Sequence, residues 1–192
     1  MIARHHLLTL AVATFLLASC GPPAMTPNFA DIHFTGERPL ALQASQIVIR
    51  NQSATAGDPG YPVQPAHAME NWANDRLRPN GQGGPARFTI NASAAVKNIP
   101  ANTSGISGAV TDQISQQYDV TVDGTLELLD DHQMAIRTVR ATAARAMTVL
   151  QSSTINDRDQ ARYDLVKATM TDFDRQIEEQ MRNNFGTYLL SR

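Results

Sequence analysis

Apolar residues recur along this chain in two periods, and the points where the period changes mark its elements. Leu40 to Arg50 ends in Ile47-Val48-Ile49, β-branched and apolar as a buried strand is. After Gly83-Gly84-Pro85 the even positions Phe88, Ile90, Ala92, Ala94 and Val96 are apolar, while Arg87, Thr89, Asn91 and Ser93 take the other face. That alternation predicts a half-buried strand. Tyr118, Val120, Val122, Leu126 and Leu128 then alternate with Gln117, Asp119, Thr121, Asp123, Thr125 and Glu127, the clearest strand in the chain. Asp130-Asp131-His132 supplies turn chemistry into a fourth strand, Gln133 to Gln151. That last segment also fits a helical stripe through Ile136, Val139, Ala143, Met147 and Leu150, and its alanines favour helix. Its β-branched residues Thr138, Val139, Thr142, Thr148 and Val149, placed straight after a turn, predict a strand instead.

Helical spacing governs two other segments. From Ala66 to Arg78, Met69, Trp72, Ala73 and Leu77 form one apolar face, and Pro79 and Gly81 stop the helix. From Thr154 to about Leu189, Tyr163, Val166, Met170, Phe173, Ile177, Met181 and Tyr188 fall in one narrow stripe. Asp157 and Asp159 near its start suit the helix dipole, and Asp164, Arg175, Glu178, Glu179 and Arg182 take the opposite face. A helix lying on a membrane surface is basic, whereas from Thr154 onward the chain carries 7 acids and 6 bases, so the stripe is core. The predicted order is β-α-β-β-β-α. It implies a single α+β domain over residues 40–192, with a mostly antiparallel sheet and a short and a long helix on one face.

The amino terminus follows a different plan. Met1 to His6 is short and basic, Leu7 to Leu17 is apolar but for Thr9 and Thr14, and small residues lead to Cys20. This is the order of regions in a secretory signal. Eleven helical residues reach only ~16 Å, about half the ~30 Å hydrocarbon core, so residues 1–19 suit a cleaved signal better than a permanent span. Leu17-Ala18-Ser19-Cys20 resembles the bacterial lipobox. The resemblance implies a diacylglycerol thioether on the Cys20 sulfur, cleavage before Cys20 and acylation of the new α-amine. Cys20 is the one cysteine of the chain and has no intramolecular disulfide partner, which fits. Gly21 stands where, in the sorting rule of that lipoprotein class, Asp favours the inner membrane. By the same resemblance it points to the outer membrane, facing the periplasm, with the inner membrane as the other option. Residues 20–39, with Pro22, Pro23, Pro27, Gly36 and Pro39, read as a tether on which Phe29, Ile32 and Phe34 can dock.

Removing residues 1–19 leaves 173 of the 192, enough for one domain with a real core. The remaining 15 Lys and Arg against 18 Asp and Glu give a charge of −3, which offers no footprint for nucleic acid and no polybasic lipid patch.

Candidate chemistry is thin. Asp130-Asp131-His132 could ligate a metal, but three adjacent residues at a turn seldom converge on one ion, and His33 and His67 lie elsewhere. Gly105-Ile106-Ser107-Gly108 lacks the spacing of a nucleophile elbow. Gly81-Gln82-Gly83-Gly84 precedes a strand, so it is no phosphate cradle. Trp72, on an apolar face, reads as core, and Glu178-Glu179 as solvated helix surface. No catalytic residue, metal site or cofactor is expected.

Two groups share this sequence of parts: a lipobox, a Pro-rich tether, a strand, a short Trp-bearing helix, three strands and a long last helix. The chain resembles the auxiliary lipoproteins of ABC-type lipid-transport systems and the lipopolysaccharide-assembly lipoprotein. Ala68 to Leu77, Arg87 to Ala95 and Tyr118 to Leu128 carry the likeness, together with the last helix. It implies a non-catalytic partner subunit in outer-envelope lipid transport or assembly, binding an envelope protein or a lipid. Two alternatives stand beside it: an envelope hydrolase with an unrecognised site, and a peptidoglycan- or lipid-binding module. Because the periodic faces are needed for the core, a partner is expected on the Asn51 to Pro65 loop with Tyr61. The second expected surface is the Asn98 to Gln116 connection with Ile106, Val110 and Ile114.

Overall fold

A computed structural model describes residues 28–53, 60–99 and 114–190. The elements run β1 (Leu40–Leu42), β2 (Ile47–Asn51), α1 (Pro65–Arg76), β3 (Leu77–Pro79), β4 (Ala86–Asn98), β5 (Ile114–Leu129), β6 (Ala135–Leu150) and α2 (Ile155–Asn184), closed by a 3₁₀ turn at Gly186–Tyr188. The main sheet has the order β2-β4-β5-β6, parallel between β2 and β4 and antiparallel elsewhere. A small parallel pair, β1 with β3, lies beside it. The domain is therefore α+β with a mostly antiparallel sheet, as the periodicities predict.

The segment predicted over Gln133 to Gln151 is strand, from Ala135 to Leu150: β6 pairs along its length with β5. The β-branched residues prevail over the alanines because β5 offers a ready antiparallel neighbour across a tight turn. In that turn Asp130 Oδ1 accepts the backbone N–H groups of His132 and Met134, both at 2.8 Å.

Three boundaries differ from expectation. The strand predicted over Leu40 to Arg50 is two short strands in different sheets. They are separated at Ala44, whose N–H turns back to the Leu42 carbonyl, while Ser45 donates to Gly84. The first helix begins at Pro65, whose missing N–H costs nothing at a first helical position, and ends at Arg76. The β4–β5 connection is shorter than predicted, because β5 already begins at Ile114 and the hairpin is closed by Ile99 donating to the Ser115 carbonyl.

α2 starts on a reciprocal cap. The Thr154 hydroxyl accepts from the Asp157 N–H, and the Asp157 carboxylate accepts from the Thr154 N–H at 3.0 Å. It stops where Phe185 is followed by Gly186 at φ +53°, a left-handed conformation that suits glycine.

Both helices lie on one face of the main sheet. Phe88, Ile90, Tyr118, Val120, Val122, Leu126 and Val139 point into the core, and Val166, Met170, Phe173, Ile177 and Met181 of the α2 stripe meet them. Trp72, Phe88 and Phe173 form an aromatic cluster with ring centroids 5.1–6.5 Å apart. Gly124 makes room for it. A Cβ there would stand 2.6 Å from Phe173 and 2.9 Å from Phe88, so the one gap in the apolar alternation of β5 is where the rings sit.

The stretch predicted as tether is part of the domain from residue 28 onward. The Phe29 ring packs 5.1 Å from Tyr163, Ile32 is buried, and the Phe34 N–H donates to Asp75 at 2.8 Å. The segment runs alongside α1, so its apolar residues dock as the sequence allowed.

Candidate functional site

The sheet has two ends, and the polar chemistry of the core collects at one of them. Arg76 is the last residue of α1 and is 1% exposed. It occupies the apolar side of the helix, one turn after Trp72. A buried guanidinium must be paired, and this one is paired on all sides. Its Nε donates to Asp174 Oδ1 at 2.7 Å, and its two Nη groups donate to Glu178 and to the Arg38 carbonyl. Trp72 Nε1 donates to the same Asp174 oxygen, also at 2.7 Å. Arg182 reaches back one turn to Glu178 at 3.0 Å, so two cations and two carboxylates balance. Burial pushes the Glu178 carboxyl up. The hydrogen bond from Arg182 and the charges of Arg76 and Arg182 outweigh it and hold the group below its ordinary value. Glu178 is thus a partner of a buried cation rather than solvated helix surface. The sequence signal was available: Arg76 lies on the stripe of Met69, Trp72 and Ala73, where an unpaired charge could not stay.

Next to this network the surface is concave. A groove of about 270 Å³ is lined by Arg38, Pro39, Leu40, Ala41, Arg182, Leu189 and Leu190. Leu189 bridges to Leu42, and Leu190 donates its N–H to the Ala41 carbonyl at 2.9 Å, so the end of the chain forms one wall. Arg38 is exposed, and its side chain joins no ion pair among the described residues. An apolar floor under a free guanidinium can take a small amphiphile with an anionic group. Nothing in the groove pairs a nucleophile with a base.

The residues singled out from the sequence divide as follows. Tyr61, expected on an exposed binding loop, is buried. Its ring meets Tyr118 edge-on at 6.3 Å, and its hydroxyl donates toward the carbonyls of Ala95 and Asp119 at 3.2 and 3.1 Å. The aromatic body fills the core and the polar tip bonds the sheet backbone, which removes it from any docking surface. Ile114 opens β5 with its backbone opposite Leu150. Cys20, Ile106 and Val110 lie outside the described residues. His33 bonds Asp75 at 2.9 Å, His67 lies 3.7 Å from Asp31, and His132 is in the β5–β6 turn. Among the described residues no three His, Cys, Asp or Glu side chains converge as metal ligands. Trp72 is core, as its apolar face implied.

No protein-family model matches the chain, and no curated protein matches it in sequence. Among solved structures it is similar to a candidate lipoprotein of Caulobacter crescentus CB15, with TM-score 0.37, 10% identity, and 70% of this chain and 88% of that one covered. It is also similar to a candidate homolog of the neuraminyllactose-binding hemagglutinin from Helicobacter pylori, with TM-score 0.40, 5% identity, and 82% and 95% covered. A minor lipoprotein from Acinetobacter baumannii gives TM-score 0.36 at 11% identity, with 76% and 96% covered. At these scores the likeness transfers no site and no activity to this chain.

Proposed function

We propose that this chain is a bacterial envelope lipoprotein, held at the outer membrane through lipid on Cys20. Its periplasmic domain works by binding, as a non-catalytic subunit in outer-envelope lipid transport or assembly. The observation that carries the reading is the end of the signal-like region: basic start, apolar run, Leu17-Ala18-Ser19-Cys20, and no other cysteine in 192 residues. No helix among the described residues is long and apolar enough to cross a membrane. Inside the domain, the inner sheet face and both helical stripes are consumed by the core, and the buried Arg76 is engaged in ion pairs with Asp174 and Glu178. A partner is left with irregular surface. The sequence between β4 and β5 offers the apolar Ile106 and Val110 for it.

A photo-crosslinking amino acid at Ile106 or Val110, irradiated in living cells, is expected to trap an envelope protein or a lipid. Crosslinks to cytoplasmic proteins, or none from either position, would contradict the assignment. A second reading has its own observation: the groove beside Arg38 would let the domain itself hold an anionic amphiphile.

A further inference from the structure

The two ends of the domain differ in where the chain enters and in what they expose. Phe29 packs on Tyr163, which follows Ile155 by eight residues, or ~12 Å of helix. The amino-terminal segment therefore joins the domain near the end made by the close of β6 and the start of α2. Cys20 precedes Phe29 by nine residues, at most ~30 Å of extended chain. The opposite end, marked by Arg182, lies a further nineteen residues along α2 from Tyr163, ~28 Å the other way. A lipid on Cys20 reaches the near end with slack, and the far end only with every tether residue drawn straight back along the domain.

The near end also carries an exposed apolar corner. Met147, Leu150 and Ile155 are 37%, 44% and 77% exposed around the one turn that joins β6 to α2. From Met147 to Asn156 ten consecutive residues carry no charge. The far end exposes Met134 at 66% and Ile136 at 40%, but these stand among Asp130, Asp131 and Arg137. Charge flanks both ends: Arg145, Asp157 and Arg158 bracket the near corner, and Arg158 donates to the Gln151 carbonyl at 3.3 Å, so it is the entry point of the chain that sets the near corner apart.

From the entry point of the chain and this exposed apolar corner, we infer that Met147, Leu150 and Ile155 bed into the phospholipid surface to which the lipid on Cys20 tethers the protein. The domain then stands on its β6–α2 turn, with the groove at Arg38 and Leu190 turned away from the membrane. The inference rests on the lipoprotein reading.

The full lipidated protein provides its own test. Thioether formation uses up the Cys20 sulfur, so a cysteine introduced elsewhere is the only free thiol. Ile155→Cys and, as a control of similar exposure and polarity at the other end, Met134→Cys are labelled with an environment-sensitive fluorophore. Each protein is reconstituted into phosphatidylethanolamine–phosphatidylglycerol vesicles with or without a quencher on the acyl chains. The label at 155 should shift to the blue and lose emission with the quencher, and the label at 134 should do neither. Vesicle-bound protein in which both positions respond alike, only 134 responds, or neither does would overturn the docking while leaving the anchor intact. Protein that does not float with the vesicles at all would overturn the anchor, and the docking with it.

Discussion

The main sheet shows two faces built from the same four strands, and they are stabilised in different ways. On the inner face Phe88, Tyr118, Val122 and Leu126 lie under α1 and α2, and Gly124 leaves space for the Phe173 ring. On the outer face Arg87 pairs with Glu127 at 2.8 Å, and Arg140 with Asp123 at 2.8 Å, both in reach of water. The inner residues are held by desolvation and close packing, worth ~25 cal/mol per Å² of apolar area buried. The outer pairs gain little, because water screens them and long side chains must be ordered to make them. The alternation of β4 and β5 thus decides stability through one set of positions and leaves the other set free for composition to vary.

Substitutions sharpen that contrast, the largest first. Phe173→Ala removes a fully buried ring from the centre of the aromatic cluster and should cost roughly 3–5 kcal/mol in chemical denaturation. Comparable midpoints for wild type and variant would mean that α2 does not pack as described. Arg76→Ala is next, at about 3 kcal/mol. It strands Asp174 and Glu178 without their cation, at the lower end of the usual range because both carboxylates keep some exposure. An effect of a few tenths would show the network to be surface decoration.

Acid should then separate the two kinds of pairing further. The folded Glu178 carboxyl is held below its ordinary value, so its contribution to stability is present above the unfolded carboxylate range, near pH ~4.3. That contribution is lost as pH falls through the folded value. Asp172, lowered by its hydrogen bond from Arg145 at 2.6 Å, acts in the same direction. Glu178→Gln is expected to flatten the acid side of the stability curve. An unchanged slope below pH ~5 would remove Glu178 from the account. Smallest of all, Arg140→Ala on the outer face should stay within about 0.5 kcal/mol. A loss as large as that of Arg76→Ala would erase the distinction between the faces.

Most of this architecture was legible in the sequence, because a one-sided sheet writes its burial as alternation. Phe88 to Val96 and Tyr118 to Leu128 fall on the predicted faces, and the Tyr163-to-Met181 stripe meets them. What escaped was set by distant partners. Arg76, Asp174 and Glu178 are brought together from elements about a hundred residues apart, and periodicity marks Arg76 only as a charge on an apolar stripe. Tyr61 was placed on a loop because the prolines and glycines around it are loop residues. The ring turns inward to Tyr118, a choice made by the end of the sheet and invisible in local composition. The break at Ala44 depends on β3 and Gly84 being in place to receive the two short strands. The site residues were less legible than the fold, since the Arg76 network has no fixed spacing in the sequence.

The central claim is the lipid on Cys20. Growth with a radioactive fatty acid, followed by isolation of the protein, tests it directly. The wild-type chain should carry label and run at the size of residues 20–192, and Cys20→Ala should be unlabelled and retain residues 1–19, because it lacks the only thiol. Label that persists in the Cys20→Ala protein, or wild type that takes up none, would contradict the account.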